Sequence, residues 1–62
     1  MSARGLVVGH LKESRSQLIV VGDYTLCLRD GVTCEYPVGT KLEVAFTVVD
    51  GIKLVDTIAK DR

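Results

Sequence analysis

Turn-forming residues recur so closely along this sequence that no helix of ordinary length fits between them. The one exception is a single helical turn at residues 56–62. The segments between the turns are short and rich in Val, Ile, Leu and Thr. In most of them apolar and polar residues alternate, which is typical of strands with one buried face. The pattern therefore predicts six strands, at residues 5–11, 17–21, 24–28, 32–36, 41–49 and 52–58.

The chain has 62 residues, enough for a single domain over residues 1–62. Its residues are 47% hydrophobic and 26% charged, a composition that favours a compact apolar core over disorder. A domain of this size buries only a modest part of its surface and is marginally stable alone. We therefore expect it to gain burial as a homo-oligomer.

Short antiparallel strands in a flat sheet would leave one apolar face in water, whereas a strongly curled sheet encloses it. The predicted fold is therefore all-β, a small five- or six-stranded antiparallel barrel. Its topology could be that of an oligonucleotide-binding (OB) fold or of an SH3-like barrel. Strand spacing alone does not separate these two.

Two Asp-Gly pairs predict tight hairpins, and the register of each follows from its apolar residues. A three-residue loop at 29–31 pairs Leu28 with Val32 and Leu26 with Cys34. A three-residue loop at 49–51 pairs Val48 with Ile52. Val44 then faces Asp56, so that the far end of this hairpin is expected either to splay or to bulge. In both loops the glycine takes the left-handed conformation that ends the loop.

The hairpin around Gly22-Asp23 pairs Ile19 with Leu26 and Val21 with Tyr24, which directs these side chains towards the core. The opposite face of the same two strands is also rather apolar. An apolar strip outside a small barrel favours contact with a partner or a second copy. The predicted interface residues are Leu18, Val20, Thr25 and Cys27.

The two cysteines fall on opposite faces of the predicted sheet, Cys34 towards the core and Cys27 away from it. A bridge between them would need backbone movement, so we expect free thiols. Their spacing is unlike that of structural zinc knuckles, and His10 is the only imidazole. No pairing of nucleophile and base is visible, so neither a metal, a cofactor nor an enzymatic activity is predicted.

The run GLVV at 5–8 and the later run VGTKLEVAF at 38–46 resemble the cold-shock type of OB barrel, which has G-x-V on its first strand and G-x-x-V-x-F on a late strand. The resemblance implies a small barrel that binds single-stranded nucleic acid. The second strand, however, carries Leu18, Ile19, Val20 and Val21 where that family has base-stacking aromatics. Register places Tyr24 and Tyr36 in the core, with hydroxyls near the rim.

Eight basic and eight acidic residues give no net charge, so any electrostatic binding must come from a local patch. His10, Lys12 and Arg15 form such a cluster. Three further cations, Arg29, Lys41 and Lys53, extend it. The first functional hypothesis is a small binding module with weak, sequence-indifferent affinity for nucleic acid through phosphate contacts.

The second hypothesis is a protein–protein interaction or inhibitor module, of the kind that mobile elements encode, acting through the apolar strip. No stretch has the length of a signal sequence or a membrane span. We therefore expect a cytoplasmic protein without membrane contact.

Overall fold

The computed structural model describes residues 3–61, which contain five strands and no helix. The strands are β1 (Ala3–Ser14), β2 (Leu18–Val21), β3 (Tyr24–Leu28), β4 (Lys41–Val49) and β5 (Ile52–Lys60). The all-β prediction is confirmed. The predicted strand at 32–36 does not form, and residues 56–60 continue β5 instead of making a helical turn.

The strands follow the order β1-β2-β3-β5-β4, and β4 pairs in turn with β1, so that each strand has two hydrogen-bonded neighbours. Four of the pairs are antiparallel, whereas β3 and β5 run parallel. The prediction of a purely antiparallel sheet is therefore wrong. The long connection between β3 and β4 explains the difference, because it allows the chain to return so that β5 enters between β3 and β4.

β1 serves both neighbours by changing partner along its length. Its first part, from Ala3 to His10, pairs with β4, and its last part pairs with β2. The register shifts between Leu11 and Glu13, so that Lys12 is an extra residue in the β1–β2 pair. Such a bulge bends a strand and increases its twist, which suits a strand shared between two partners.

The β4–β5 hairpin turns on two residues, Asp50 and Gly51, with φ angles of 53° and 77°. Val49 pairs with Ile52, so the three-residue loop that the sequence predicts is wrong. Two consecutive residues with positive φ make a turn whose twist matches the strands, and Asp-Gly is well suited to it.

Of the two irregularities expected at the far end of this hairpin, splaying or a bulge, the structure has a bulge. Phe46 pairs with Val55, but the next residue, Ala45, pairs with Thr57, so that Asp56 is the extra residue. The shift keeps Val44 and its new partner on the core face beyond the bulge. The hairpin therefore combines a two-residue turn with a bulge, and the bulge keeps apolar residues of both strands on the core face.

The core comprises nine buried apolar residues from all five strands: Val7, Leu11, Ile19, Val21, Leu26, Leu42, Val44, Phe46 and Val55. Within the β3–β4 connection, Val32, Cys34 and Tyr36 are half-buried and pack against this core, whereas Thr33 and Glu35 are exposed. Buried and exposed residues therefore do alternate here as in a strand, but the segment packs one side against the core without pairing in the sheet. Two hydrogen bonds then join the connection to β1, from the Leu11 amide to the Thr40 carbonyl (2.8 Å) and from the Gly39 amide to the Leu11 carbonyl (2.7 Å).

Candidate functional site

Three of the basic residues that the sequence singled out gather where β1 meets both β4 and the β2–β3 turn. His10 and Lys41 lie directly opposite each other on β1 and β4, and both are exposed. The Gly22 amide donates a hydrogen bond to the His10 carbonyl (3.0 Å), which holds the turn against β1. From the bulge, Lys12 places its Nζ 3.7 Å from Oδ1 of Asp23 in that turn.

An exposed aromatic ring follows the same turn. Tyr24 is 44% exposed, so its prediction as a core residue is wrong; Tyr36 does pack against the core. The ring centroid of Tyr24 lies 6.3 Å from that of Phe46, and Nζ of Lys53 lies 5.8 Å from the Tyr24 centroid. We name the set comprising His10, Lys12, Tyr24, Lys41 and Lys53 the turn patch.

The remaining two predicted cations are held by local carboxylates outside the turn patch. Arg15, directly after the end of β1, donates from Nε to Oε1 of Glu13 on that strand. Arg29 donates from Nε to Oδ1 of Asp56 at a distance of 2.8 Å. The structure therefore brings His10, Lys12 and Lys41 together, whereas Lys53 lies opposite Val48 at the other end of the β4–β5 hairpin from Lys41 and is placed over Tyr24.

Carboxylates also pair with two lysines of the turn patch. Besides Lys12 with Asp23, Nζ of Lys41 lies 3.4 Å from Oδ2 of Asp61. Exposed pairs of this kind contribute between about 0 and 1 kcal/mol, so a phosphate can compete for either lysine. They nevertheless reduce the positive field of the patch.

The predicted interface residues lie together on the outer face of β2 and β3. Leu18 pairs with Cys27 and Val20 with Thr25, in the register that the sequence predicts. Thr25 is exposed and the other three are half-buried. Leu54 on β5 pairs with Cys27 and extends the apolar surface onto a third strand. We name Leu18, Val20, Cys27 and Leu54 the outer strip.

Asp56, at the bulge of β5, is the centre of a polar cluster that the sequence reasoning missed. Thr47 donates from Oγ1 to Asp56 Oδ2 (2.6 Å), and Arg29 binds the other carboxylate oxygen. The hydrogen bond from Thr47 lowers the pKa of Asp56, desolvation opposes this, and the hydrogen bond and charge of Arg29 and the charge of Arg4 lower it further. The mismatch of Asp56 with Val44 in the predicted register was the one available signal.

Cys27 and Cys34 are both free thiols. Among residues 3–61, no three or more His, Cys, Asp or Glu side chains are grouped so that they could hold a metal ion. Over the same residues, no helix has the length and apolar character needed to cross a membrane.

No family model matches the sequence, and searches of curated proteins and of solved structures found no significant similarity.

Proposed function

We propose that this protein is a small, non-enzymatic binding module with an OB-type barrel, and that its ligand is single-stranded nucleic acid held weakly and with little sequence preference. The parallel pairing of β3 with β5 supports an OB-type order over an SH3-like one, because an antiparallel meander contains no parallel pair. OB barrels bind oligonucleotides on the face of strands 2 and 3 and in the adjoining loops. Tyr24 lies on β3 directly after the β2–β3 turn, whereas the basic residues of the turn patch lie on β1, β4 and β5. This remains an analogy of fold.

The observation that carries the proposal is the exposed Tyr24 ring with Lys53 over it, directly after the turn in which Asp23 contacts Lys12. Any of the bases can stack on an exposed aromatic ring, and each stacked base contributes about 1–3 kcal/mol to binding. Lysines can contact the adjacent phosphates. One aromatic ring and partly neutralised lysines account for weak binding. The free thiols support a reducing, cytoplasmic setting.

A salt titration tests this proposal. Each phosphate contact on single strands adds about −0.7 to the slope of log affinity against log salt, so three contacts give about −2. Lys12→Ala should flatten the slope by about 0.7, whereas Arg15→Ala, a matched loss of charge outside the turn patch, should leave it nearly unchanged. Fluorescence anisotropy with labelled oligonucleotides measures both.

A second pair of variants tests stacking separately from charge. Tyr24→Ala should weaken binding about tenfold or more at every salt concentration without changing the slope, and Tyr24→Phe should retain the affinity because the ring remains. Absence of binding at low salt, or equal effects of Lys12→Ala and Arg15→Ala, would refute the assignment to the turn patch.

The outer strip supports a second candidate function, self-association or contact with an apolar protein partner. The supporting observation is its continuity, since strand pairing makes Leu18, Cys27 and Leu54 neighbours across β2, β3 and β5. A domain this small gains stability from such burial. Light scattering over a dilution series should show a mass above that of the monomer.

In that case Val20→Lys should reduce the protein to a monomer by placing a charge in the contact. Thr33→Lys, an exposed position on the β3–β4 connection, is the matched control. A monomeric wild-type protein, with a melting temperature independent of concentration, would dismiss this second function. High salt should preserve the apolar contact but weaken nucleic-acid binding.

A further inference from the structure

A line of polar side chains runs from β1 across β4 and β5 to the residue that follows β3, on the side of the sheet away from the core. Arg4 on β1 lies directly opposite Thr47 on β4. The Thr47 hydroxyl donates to Asp56 on β5, and Asp56 accepts a second hydrogen bond from Arg29, which follows β3. The line therefore begins and ends with a guanidinium group, and one carboxylate lies between them.

These side chains line a single open cleft of about 540 Å³. Its walls include Arg4, Arg29, Thr47, Asp56 and Thr57. The side chain of Arg29 is 39% exposed although it is paired, so it remains accessible from solvent. The cleft thus combines two cations and two threonine hydroxyls with one acid.

The donors of the two arginines are only partly used by this arrangement. Arg29 donates to Asp56 from Nε, which carries one of the five N–H groups of a guanidinium. That bond leaves the two terminal nitrogens, with four N–H groups, available to a ligand. A guanidinium presents such paired donors to the oxygens of phosphate in a planar, bidentate geometry.

We propose that this cleft binds a phosphate group between Arg4 and Arg29, and that Asp56 orients Arg29 while limiting the positive charge of the site. The charges of both arginines reach Asp56, since each lowers its pKa, so the three groups share one electrostatic environment. With two positive charges and one negative charge, the cleft carries a net positive charge at neutral pH. Binding of phosphate is therefore favourable but modest.

The same chemistry could be supplied by free phosphate or by the backbone of a nucleic acid. The proposal shares no residue with the turn patch, so either site can fail without the other. If the source is a nucleic-acid backbone, Arg4→Gln should lower oligonucleotide affinity in addition to the effect of Lys12→Ala. If it is free phosphate, only the phosphate titration should respond to Arg4→Gln.

The test is a titration of inorganic phosphate into isotopically labelled protein, followed by two-dimensional NMR, with chloride as the anion of matched ionic strength. The amides of Arg4, Thr47 and Thr57 should shift with phosphate and stay in place with chloride. Arg4→Gln and Arg29→Gln should each weaken binding about twofold to fivefold, the range expected for one exposed charge contact. Lys60→Gln removes a charge from an exposed position outside the cleft and should leave binding unchanged.

Asp56→Asn is the most informative variant, because it should strengthen phosphate binding where the arginine substitutions weaken it. Removing the carboxylate charge while retaining an amide oxygen should tighten phosphate binding by about twofold to fivefold. Circular dichroism of each variant checks that it is folded, and Lys60→Gln gives the reference for a loss of charge. Phosphate shifts that are absent from the cleft, or that respond equally to Arg4→Gln and Lys60→Gln, would overturn the proposal.

Discussion

Gly5 and Phe46 lie directly opposite each other on β1 and β4, and the phenyl ring occupies the space that a side chain at residue 5 would need. A Cβ added to Gly5 would lie 2.5 Å from Cζ of Phe46. We expect Gly5→Ala to destabilise the protein by about 1–3 kcal/mol through overpacking. Urea unfolding measures the loss, and Leu6→Ala, at the next and exposed position, should change stability by less than about 0.5 kcal/mol.

The ring itself offers a stricter check of this relationship. Phe46→Leu alone should destabilise by removing buried contacts, but it should also make room for the methyl group of Gly5→Ala. The double variant should therefore lose less stability than the sum of the two single variants, by about 0.5 kcal/mol or more. Strict additivity would show that residue 5 and the ring do not compete for space.

The Asp50-Gly51 turn depends on two residues with positive φ. Gly51→Ala should cost about 1–2 kcal/mol, because a Cβ is unfavourable in the left-handed region. Asp50→Asn should be nearly neutral, since Asn adopts that conformation well. Asp50→Ala distinguishes this turn from a three-residue loop, because only here does residue 50 have a positive φ, so that alanine should lower the melting temperature.

Asp56 should make the stability of the protein sensitive to acid. Its pKa in the folded state is lowered from 3.8 by the Thr47 hydrogen bond first and by Arg29 and Arg4 further. A lowered pKa means that the stabilisation is present above pH 3.8 and is lost as the pH falls below that value through the folded-state pKa. Asp56→Asn should therefore flatten the fall in stability in that range, and Asp30→Asn, in an exposed turn, should not.

The two free cysteines should respond differently to substitution. Cys34 packs against the core, so Cys34→Ser should cost about 1 kcal/mol by placing a hydroxyl there. Cys27 faces outwards on the outer strip, and Cys27→Ser should change stability by less than about 0.5 kcal/mol. Intact mass without reductant should show two free thiols, and a loss of two hydrogens within one chain would contradict the arrangement.

Local pairing was the part of the fold that the sequence could predict. The β2–β3 hairpin has the predicted register because Ile19 and Val21 point inwards opposite Leu26 and Tyr24, and a slip of one residue would expose them. An irregularity near Asp56 was predictable from its mismatch with Val44, although the register in which that mismatch arose is wrong. The parallel β3–β5 pair was not, because it joins segments that are distant in the sequence.

The basic residues of the candidate site were singled out from the sequence, but the exposure of Tyr24 and the arrangement of these side chains were not. Nothing in the order of residues shows that Lys53 lies over Tyr24, since β5 reaches β3 only through the parallel pairing. The position of Tyr24 directly after the Gly22-Asp23 turn was a hint that its ring would lie at the rim. Arg4 gave no signal, because its role in the cleft follows from pairing with Thr47 across β1 and β4.

The position of β5 between β3 and β4 has a kinetic consequence. The β2–β3 and β4–β5 hairpins are local and can form within microseconds, but neither encloses a core by itself. Pairing of β1 with β4 and of β3 with β5 requires the chain to close long loops before any of the nine core residues is fully buried. Folding should therefore proceed in one cooperative step on the millisecond-to-second scale typical of small β-proteins, and stopped-flow mixing should show a single exponential phase.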